Sequence, residues 1–379
     1  MTVDGTIAVT GFASGDVPDA GDCVEITRTD GAEGTYCLPG ESTGGESGAP
    51  SSSPPSSSAP PVTAVPGAPQ FLAATEGTKA LSLSWIAPDN DGGAAITDYV
   101  IEYKATADST WTVAEDGTSS STSFTLNVTN AGTKYDVRVS AVNSAGAGSS
   151  VSVSNKQPIP AIGDNVYGGY YAGMIDTTGS GGSRYLVIAG PKSLEKSGAS
   201  FVWRASNSSN VPSATLNSWD GLTATAAMAA VGGLTYPAAE YAYSRSFSST
   251  DGGSRWYLPA KDEFELLYRN LKPTTATNST LYGPAGGNPS SSPVGATYTS
   301  TAPGQTGVSL FREGNSQALS GWYWTSTAFI EPGFTTVSGA WLQMVDGFTG
   351  GGSSRAGAQT GTQQNDTDMV LRPVRRVTF

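Results

Sequence analysis

The sequence predicts a mainly β, multidomain protein, and three observations support this fold class. Of the 379 residues, 48 are glycine and only 14% are charged, whereas ordinary globular domains carry about 25% charged residues. Short runs of alternating apolar and polar residues recur along the chain, which is the pattern of half-buried strands. A strongly helical pattern is confined to one stretch, residues 254–273.

Residues 1–42 are predicted to form a small β module with the strand-like runs TIAVTG and DCVEITRT. A module of this size buries little core by itself. Cys23 and Cys37 flank VEITRTDGAEGTY, a strand–turn–strand pattern that can make them cross-strand neighbours. A disulfide and two free thiols both fit this pattern. The N-terminus lacks a charged region followed by an apolar run, so a Sec signal peptide is not predicted.

Residues 43–65 are predicted to be a spacer. The stretch TGGESGAPSSSPPSSSAPPVTAV consists largely of Ser, Pro, Gly and Ala. Such a composition cannot bury a core and favours extended, polyproline-like backbone. The domains on either side are therefore expected to be held apart by a semi-rigid connection.

Residues 66–157 alternate with a period of two. ALSLSWIAP places Leu81, Leu83 and Trp85 on one strand face, and KYDVRVSAVNSAG places Tyr135 and its i+2 neighbours on another. Regular spacing with Gly, Asp and Pro turns predicts an antiparallel β-sandwich.

The same segment resembles a fibronectin type III domain. The resemblance rests on Pro69, Trp85, the DYVIEYK strand, Leu126 and Tyr135 in YDVRVSAVNSAGAGS. It implies that Trp85 is the core tryptophan and Tyr135 the tyrosine-corner residue of such sandwiches. A spacer role is the simplest function that the resemblance implies.

Residues 161–379 are predicted to form the last domain. VYGGYYAGMI and SRYLVIAGP are expected to pair as a hairpin, and YWTSTAF, GAWLQMVDG and MVLRPVRRVTF are expected to be later strands. A short helix is predicted over 221–230, with Asp220 as its N-cap and Gly232–Gly233 at its end.

The stretch 254–273, SRWYLPAKDEFELLYRNLKP, predicts a second helix. Pro259 lies near its start and Pro273 ends it. Acidic residues in the first turn complement the positive end of the helix dipole. An apolar stripe at i, i+3, i+4 and i+7 is expected to dock on a sheet; its members are Phe264, Leu267, Tyr268 and Leu271.

The motifs WYLPAKDEFELLYRNLK, YWTSTA and LRPVRR, in this order, resemble the Lcl C-terminal-like domain family. The resemblance implies an α+β, C-type-lectin-like domain over 161–379, as in phage tail or virion proteins and bacterial surface adhesins. The helix motif is also similar to that of formylglycine-generating sulfatase modifiers. Their chemistry needs active-site cysteines, and residues 161–379 contain none.

Several chemistries are disfavoured by composition. The chain has no histidine, which removes Ser-His-Asp catalysis and His-ligated zinc. A net charge of −12 without basic clusters argues against nucleic-acid binding. No window approaches the roughly 20 apolar residues of a membrane span. Calcium-binding motifs are incomplete, and NDTD at 365–368 is expected to be a solvated acidic loop. No enzyme activity, cofactor or metal is therefore predicted.

A ligand face is expected on the loops 274–320, 328–338 and 347–367, which the lectin-like resemblance implies. Aromatic rings and hydrogen-bonding groups in these loops suit contact with a sugar or a partner protein. The strand tryptophans Trp322, Trp324 and Trp341 are expected in the core instead. The candidate ligand-binding residues are Tyr282, Asn288, Tyr298, Phe311, Arg312, Phe329, Phe334 and Arg355.

These features together predict a phage virion structural protein, as a tail fibre, receptor-binding or decoration protein. The N-terminal module would bind a capsid or tail protein, and the last domain would bind a host-surface glycan or protein, with avidity from multiple copies. The predicted location is the virion. The alternatives are a purely structural decoration protein without a receptor and a secreted bacterial adhesin at the cell surface. A hydrolase built on two carboxylates has no supporting motif.

Overall fold

The computed structural model describes residues 8–9, 23–27, 33–37, 63–176, 184–245, 253–279, 297–345, 356 and 358–378. The chain divides into two compact units, Met1–Pro61 and Val62–Phe379. Over the described ranges it forms five β-sheets and three α-helices, so the predicted mainly β class is confirmed. None of these helices is long and apolar enough to span a bilayer.

The first unit contains one antiparallel sheet of strands β1 (Ala8–Val9), β2 (Cys23–Thr27) and β3 (Glu33–Cys37). Its register places Cys23 directly opposite Cys37. Opposite residues of antiparallel strands have Cα atoms about 4.5–5.5 Å apart, a separation that a disulfide can bridge. The bridge itself stays a prediction. Most of the predicted spacer, residues 43–62, lies outside the described residues.

The second unit begins with a β-sandwich of two sheets. One sheet has the strand order β4-β5-β8 and the other has the order β10-β9-β6-β7. The strands are β4 (Gln70–Gly77), β5 (Ala80–Ile86), β6 (Asp98–Ala105), β7 (Thr112–Val113), β8 (Ser123–Asn127), β9 (Tyr135–Asn143) and β10 (Gly146–Lys156).

The sandwich core is the one that the alternation predicts. Leu81, Leu83 and Trp85 are all buried, and the Trp85 ring meets the Tyr99 ring edge-on at 5.2 Å between centroids. The Tyr135 hydroxyl donates to the Asn130 carbonyl at 3.1 Å, which is the contact of a tyrosine corner. Both aromatic roles implied by the resemblance therefore agree with the structure.

The described parts of residues 165–378 add nine strands in two sheets. The four-stranded sheet has the order β11-β12-β13-β19 and the five-stranded sheet has the order β14-β18-β15-β16-β17. The strands are β11 (Asn165–Val166), β12 (Gly169–Asp176), β13 (Arg184–Ala189), β14 (Lys196–Ser197), β15 (Trp322–Phe329), β16 (Gly339–Met344), β17 (Gln359–Thr362), β18 (Val370–Leu371) and β19 (Val374–Thr378).

Three helices accompany these sheets. Helix α1 (Gly221–Val231) begins as predicted, because the Asp220 side chain accepts the Thr223 N–H, and Gly232 ends it. Helix α2 (Pro237–Tyr243) was not predicted, although Pro at its first position followed by alanines favours a helix start. Helix α3 (Lys261–Leu271) lies within the predicted stretch.

Helix α3 packs between the two sheets. Its predicted stripe is fully buried and shares one core with Val187 of the four-stranded sheet and Tyr323 of the five-stranded sheet. The Phe264 and Tyr323 rings lie 4.9 Å apart. Two acidic residues of the first turns, Glu263 and Glu265, are buried as well, so they do more than complement the helix dipole.

The sandwich joins the following region through a dense set of contacts. Thr78 and Ile159 form a parallel β-bridge, and the Lys79 ammonium pairs with Asp164 at 3.0 Å. The Tyr167 hydroxyl donates to the Gly132 carbonyl at 3.0 Å and accepts from the Gln157 amide at 2.7 Å. Because hydrogen bonds and an ion pair cross the junction, these two parts of the second unit are fixed to each other.

Candidate binding face beside helix α3

The predicted ligand-binding residues do not converge on one site. Tyr282, Asn288 and Arg355 lie outside the described residues. Arg312 is exposed, and its Nε donates to the Thr306 carbonyl at 3.1 Å. Tyr298 is half-buried against the core around α3, where burial raises the pKa of its hydroxyl.

Phe311 belongs to the core and not to a ligand surface. Its side chain is fully buried, and its ring meets the Tyr170 ring edge-on at 5.3 Å. The short 3-10 turn Ser309–Phe311 turns this ring inward beneath its own loop. Sequence alone could not separate Phe311 from an exposed aromatic, since the loop has no periodic pattern.

Two aromatic side chains meet at one end of the five-stranded sheet. Phe329 ends β15, and Trp341 lies in the neighbouring strand β16. Their rings are perpendicular, with centroids 4.9 Å apart, and both side chains are half-buried. The prediction that Trp341 is a core residue is therefore wrong. Trp322 is half-buried but packs against the core, and Trp324 is fully buried.

Gly361 of β17 provides the floor of this aromatic pair. A Cβ at Gly361 would lie 2.0 Å from the Phe329 Cδ1 atom. The phenylalanine ring therefore rests on bare backbone, which glycine alone among the amino acids permits. The pair lies on the face of the sheet where Tyr323 and Gln343 also project, since these residues are directly opposed across β15 and β16.

Lys261, the first residue of α3, adds a positive charge beside the aromatic pair. Its ammonium lies 5.3 Å from the centroid of the Trp341 ring, within the range of a cation–π contact. It also pairs with Asp262 at 3.3 Å. We call Phe329, Trp341, Lys261 and Gly361, together with Phe334, the aromatic face.

Phe334 lies in the connection between β15 and β16, which carries the aromatic pair. Its side chain is 63% exposed, although it is large and apolar. The connection turns at Gly333, whose positive φ of 91° suits glycine. Phe329 and Phe334 are therefore the two predicted candidates that lie at this end of β15 and in the connection that follows it.

A polar zone lies behind the aromatic face. The Gln359 amide donates to the Lys261 carbonyl at 3.1 Å, and Gln343 is the direct cross-strand neighbour of Gln359. One turn along α3 from Lys261, Glu265 accepts from Arg269 Nε at 2.8 Å. Burial raises the pKa of Glu265 to about 8. Glu265 Oε2 and both amide atoms of Gln343 are buried without a hydrogen-bond partner.

The acidic loop NDTD is occupied by its own contacts. Asp366 accepts from the Thr362 hydroxyl at 2.9 Å and from the Asp368 N–H at 3.0 Å. Among the residues that the structure describes, no group of three or more Cys, Asp or Glu side chains is placed to hold a metal ion. The absence of a metal site stays a prediction for the chain as a whole.

Sequence reasoning missed Lys261, Trp341 and Gly361. Alternation places Trp341 on the face of β16 opposite to Ala340 and Leu342. It does not mark Trp341 as exposed, because Gln343 on the same face as Trp341 is also buried. No local pattern marks Lys261 or Gly361, since their positions depend on pairing between distant segments.

Comparison with known proteins identifies one domain. The fibronectin type III domain family model matches residues 67–156. A titin homolog of Caenorhabditis elegans is 33% identical over 136 residues, which is 35% of this chain and 1% of that protein. The chain thus spans about one hundredth of this relative's length, and the activities of the whole relative do not carry over.

Solved structures give the same match. The twitchin kinase region of C. elegans is 28% identical, covering 25% of this chain and 17% of that one, with a TM-score of 0.22. Domains A168–A170 of titin are 22% identical, covering 36% and 40%, with a TM-score of 0.23. These matches give no support to an Lcl C-terminal-like or C-type-lectin-like assignment.

The relatives contradict the predicted function. The curated relative is a titin homolog rather than a virion protein, so the prediction of a phage tail fibre, receptor-binding or decoration protein is wrong. Three further predictions are wrong for the same reason: the capsid or tail partner, the host-surface partner, and the location in a virion or at a bacterial surface. What the matches establish is narrower and concerns one segment: residues 67–156 are a fibronectin type III domain.

Proposed function

We propose that this chain is a non-catalytic interaction protein whose last region binds a partner protein through the aromatic face. The observation that carries the proposal is the pairing of Phe329 and Trp341 over Gly361, with Phe334 63% exposed on the adjoining connection. Tryptophan and other aromatic side chains dominate binding energy at protein interfaces because they bury much area with little loss of side-chain entropy.

The complementary partner has an apolar pocket. The Phe329 and Trp341 rings are held by each other and by the Gly361 backbone, so they are ordered before binding. Pre-ordered anchors lower the entropic cost of association. Lys261, at 5.3 Å from the Trp341 ring, adds a charge that favours an acidic group at the edge of that pocket.

We propose that the chain is not an enzyme because two buried carboxyl groups with raised pKa values, on Glu263 and Glu265, make contacts within the fold. Glu263 takes part in four hydrogen bonds within the domain, and Glu265 is paired with Arg269. Both side chains are buried. A catalytic acid needs access to substrate, and these two groups instead join elements of the fold.

The fibronectin type III domain is proposed to act as a rigid spacer. The Lys79–Asp164 ion pair and the Tyr167–Gly132 hydrogen bond fix its end to the following region. Such a junction would hold the aromatic face at a constant angle to the sandwich. The finer assignment of residues 161–379 to a C-type-lectin-like fold is proposed only as a fold, supported by the pairing of the early strand β13 with the last strand β19.

A photo-crosslinking experiment tests the aromatic face. A photoreactive phenylalanine analogue is placed at Phe334 and, as a matched control, at Phe71 of the sandwich, which is 77% exposed. We expect one defined adduct from position 334 in an extract of the source organism. The adduct should disappear when Trp341→Ala is added, because half of the aromatic pair is then missing.

Two outcomes would contradict the proposal. Equal adducts from positions 334 and 71 would indicate non-specific capture, and an adduct that survives Trp341→Ala would place binding elsewhere. Thermal unfolding of the Trp341→Ala chain provides the folding control, since loss of a half-buried surface ring should leave the fold intact.

A further inference from the structure

Glu263 lies where three elements meet. It is fully buried in the first turn of α3. Its Oε2 atom accepts the Ala260 N–H at 2.8 Å and the Gly221 N–H at 3.2 Å. These two amides belong to the N-terminal ends of α3 and α1, so one carboxyl group satisfies orphan donors of both helices.

The Oε1 atom of Glu263 faces two tyrosines. The Tyr257 hydroxyl lies at 2.8 Å and the Tyr185 hydroxyl, from β13, at 3.0 Å. The Tyr185 oxygen also lies 2.8 Å from the Trp219 carbonyl, just before α1. Three close oxygen–oxygen contacts therefore form a chain from Tyr257 through Glu263 and Tyr185 to Trp219.

A count of protons favours a protonated Glu263. Each tyrosine brings one hydroxyl proton, and a carbonyl oxygen brings none. The two tyrosines therefore supply two protons for three contacts. If Glu263 is ionised, the two oxygen atoms of one contact have no proton between them. Such oxygen atoms repel each other in a buried site. If Glu263 carries a proton on Oε1, it donates to Tyr185, Tyr185 donates to Trp219, and every contact is a hydrogen bond.

The nearby positive charge on Arg376 lowers the pKa of Glu263, but burial outweighs it. Arg376 of β19 pairs with the α1 N-cap Asp220 at 3.1 Å, and its guanidinium lies 5.2 Å from the Tyr185 ring. The ion pair with Asp220 partly offsets the charge of Arg376. Burial is the main cause that raises the pKa of Glu263 to about 7, against the lowering effect of its hydrogen bonds.

We propose that Glu263 is a proton-dependent latch, which keeps its carboxyl proton in the folded chain and loosens the junction of α1, α3 and β13 when that proton is lost. Ionisation leaves one oxygen contact without a proton and puts a charge where water is excluded. This repulsion is relieved at the lowest energetic cost when β13 or the start of α1 separates from α3. The first residue of α3 is Lys261 of the aromatic face, so the latch also governs the position of that lysine.

Glu263→Gln and Glu240→Gln test the latch. Glutamine keeps the shape of a protonated carboxyl and brings donor protons, while Glu240 is an exposed residue of α2 and serves as the matched control. We expect infrared spectra at neutral pH to show a protonated-carboxyl band in the wild type and in Glu240→Gln, and its intensity to fall in Glu263→Gln. An unchanged band in Glu263→Gln would overturn the proposal.

Amide hydrogen exchange provides the second readout. Between pH 6 and pH 8, after correction for intrinsic exchange, protection of the Ala260 and Gly221 amides should fall about tenfold in the wild type, as expected for a group that titrates near the middle of this range. In Glu263→Gln the protection should stay constant. Equal pH dependence in both chains would refute the latch.

A third measurement covers the case in which Glu263→Gln fails to fold. Carboxyl carbon resonances of a chain labelled at glutamate are titrated in the Glu265→Gln background, which removes the other glutamate that is buried among the described residues. One carboxyl should titrate near pH 7. If every glutamate titrates below about pH 5.5, within the ordinary range of this side chain, the proposal is wrong.

Discussion

The sandwich and the region that follows it are built on different physical principles. Across the described sandwich residues, 63–157, every charged side chain stays partly or fully exposed, and the core is aliphatic and aromatic. The following region buries five ionisable side chains within the described ranges: Glu263, Glu265, Lys272, Arg372 and Arg375. Long regular strands need no such charges, because their backbone groups pair with one another.

The buried charges hold irregular backbone in place. The Lys272 ammonium donates to the Ala276 carbonyl, to Asn278 Oδ1 at 2.8 Å and to the Pro303 carbonyl at 3.2 Å. Its three donors therefore join two loop segments that have no strand partners. The difference teaches that short sheets with long connections use cationic side chains where a sandwich uses ladder hydrogen bonds.

The largest expected effect comes from Arg372→Leu. Arg372 is fully buried, donates to the Gly190 and Gln317 carbonyls, and pairs with Glu195 at 3.2 Å. Its removal leaves these acceptors unsatisfied, so we expect a loss of about 4 kcal/mol in the free energy of unfolding. Urea denaturation measures it. The control is Arg312→Leu, at an exposed arginine, which should change stability by no more than about 0.5 kcal/mol. Similar losses from the two variants would contradict the difference between buried and exposed arginines.

Leu83→Ala is the counterpart in the sandwich. Leu83 is 2% exposed, so the cavity should cost about 3 kcal/mol. Ser82→Ala, on the exposed face of the same strand, is the control and should be nearly neutral. Hydrogen-exchange mass spectrometry should show faster exchange in peptides from 66–157; faster exchange confined to later residues would contradict the separate cores.

The pH dependence should distinguish the two regions next. The pKa of Glu265 is raised to about 8, chiefly by burial, so the folded state binds its proton more tightly than the unfolded chain. Its stabilising contribution is complete below about pH 4.5 and is lost progressively as pH rises to about 8.

Urea denaturation across this window measures the loss. Glu265→Gln should flatten the upper part of the profile, and Glu240→Gln should leave it as in the wild type. Glu263 contributes a loss of the same sign that ends near pH 7, because burial raises its pKa to about 7. A wild-type stability that rises between pH 5 and pH 8 would contradict this sign.

Tyr135→Phe should have the smallest effect. It removes the hydroxyl that donates to the Asn130 carbonyl at 3.1 Å, which should cost about 1 kcal/mol. Tyr103→Phe is a suitable control, since its ring lies 6.3 Å from that of Tyr135. Thermal unfolding compares the two variants, and an equal loss would assign the effect to ring packing rather than to the tyrosine corner.

Period-two patterns predicted the sandwich well because its strands are long and one face of each is buried. Leu81, Leu83 and Trp85 needed only alternation to be assigned to the core. The apolar stripe of α3 was equally clear from its helical spacing. Phe311 and Trp341 were misplaced because a loop aromatic and a strand aromatic carry no mark that separates core from surface.

The sequence by itself determined the mainly β class, the fibronectin type III domain, the cap of α1 and the apolar face of α3. Each depends on residues close together in the chain. Only the tertiary structure decided that Phe329 rests on Gly361, that Lys261 faces Trp341, and that Glu263 joins two helices and a strand. These contacts link residues far apart in sequence, so their energies depend on pairing and burial that no local pattern records.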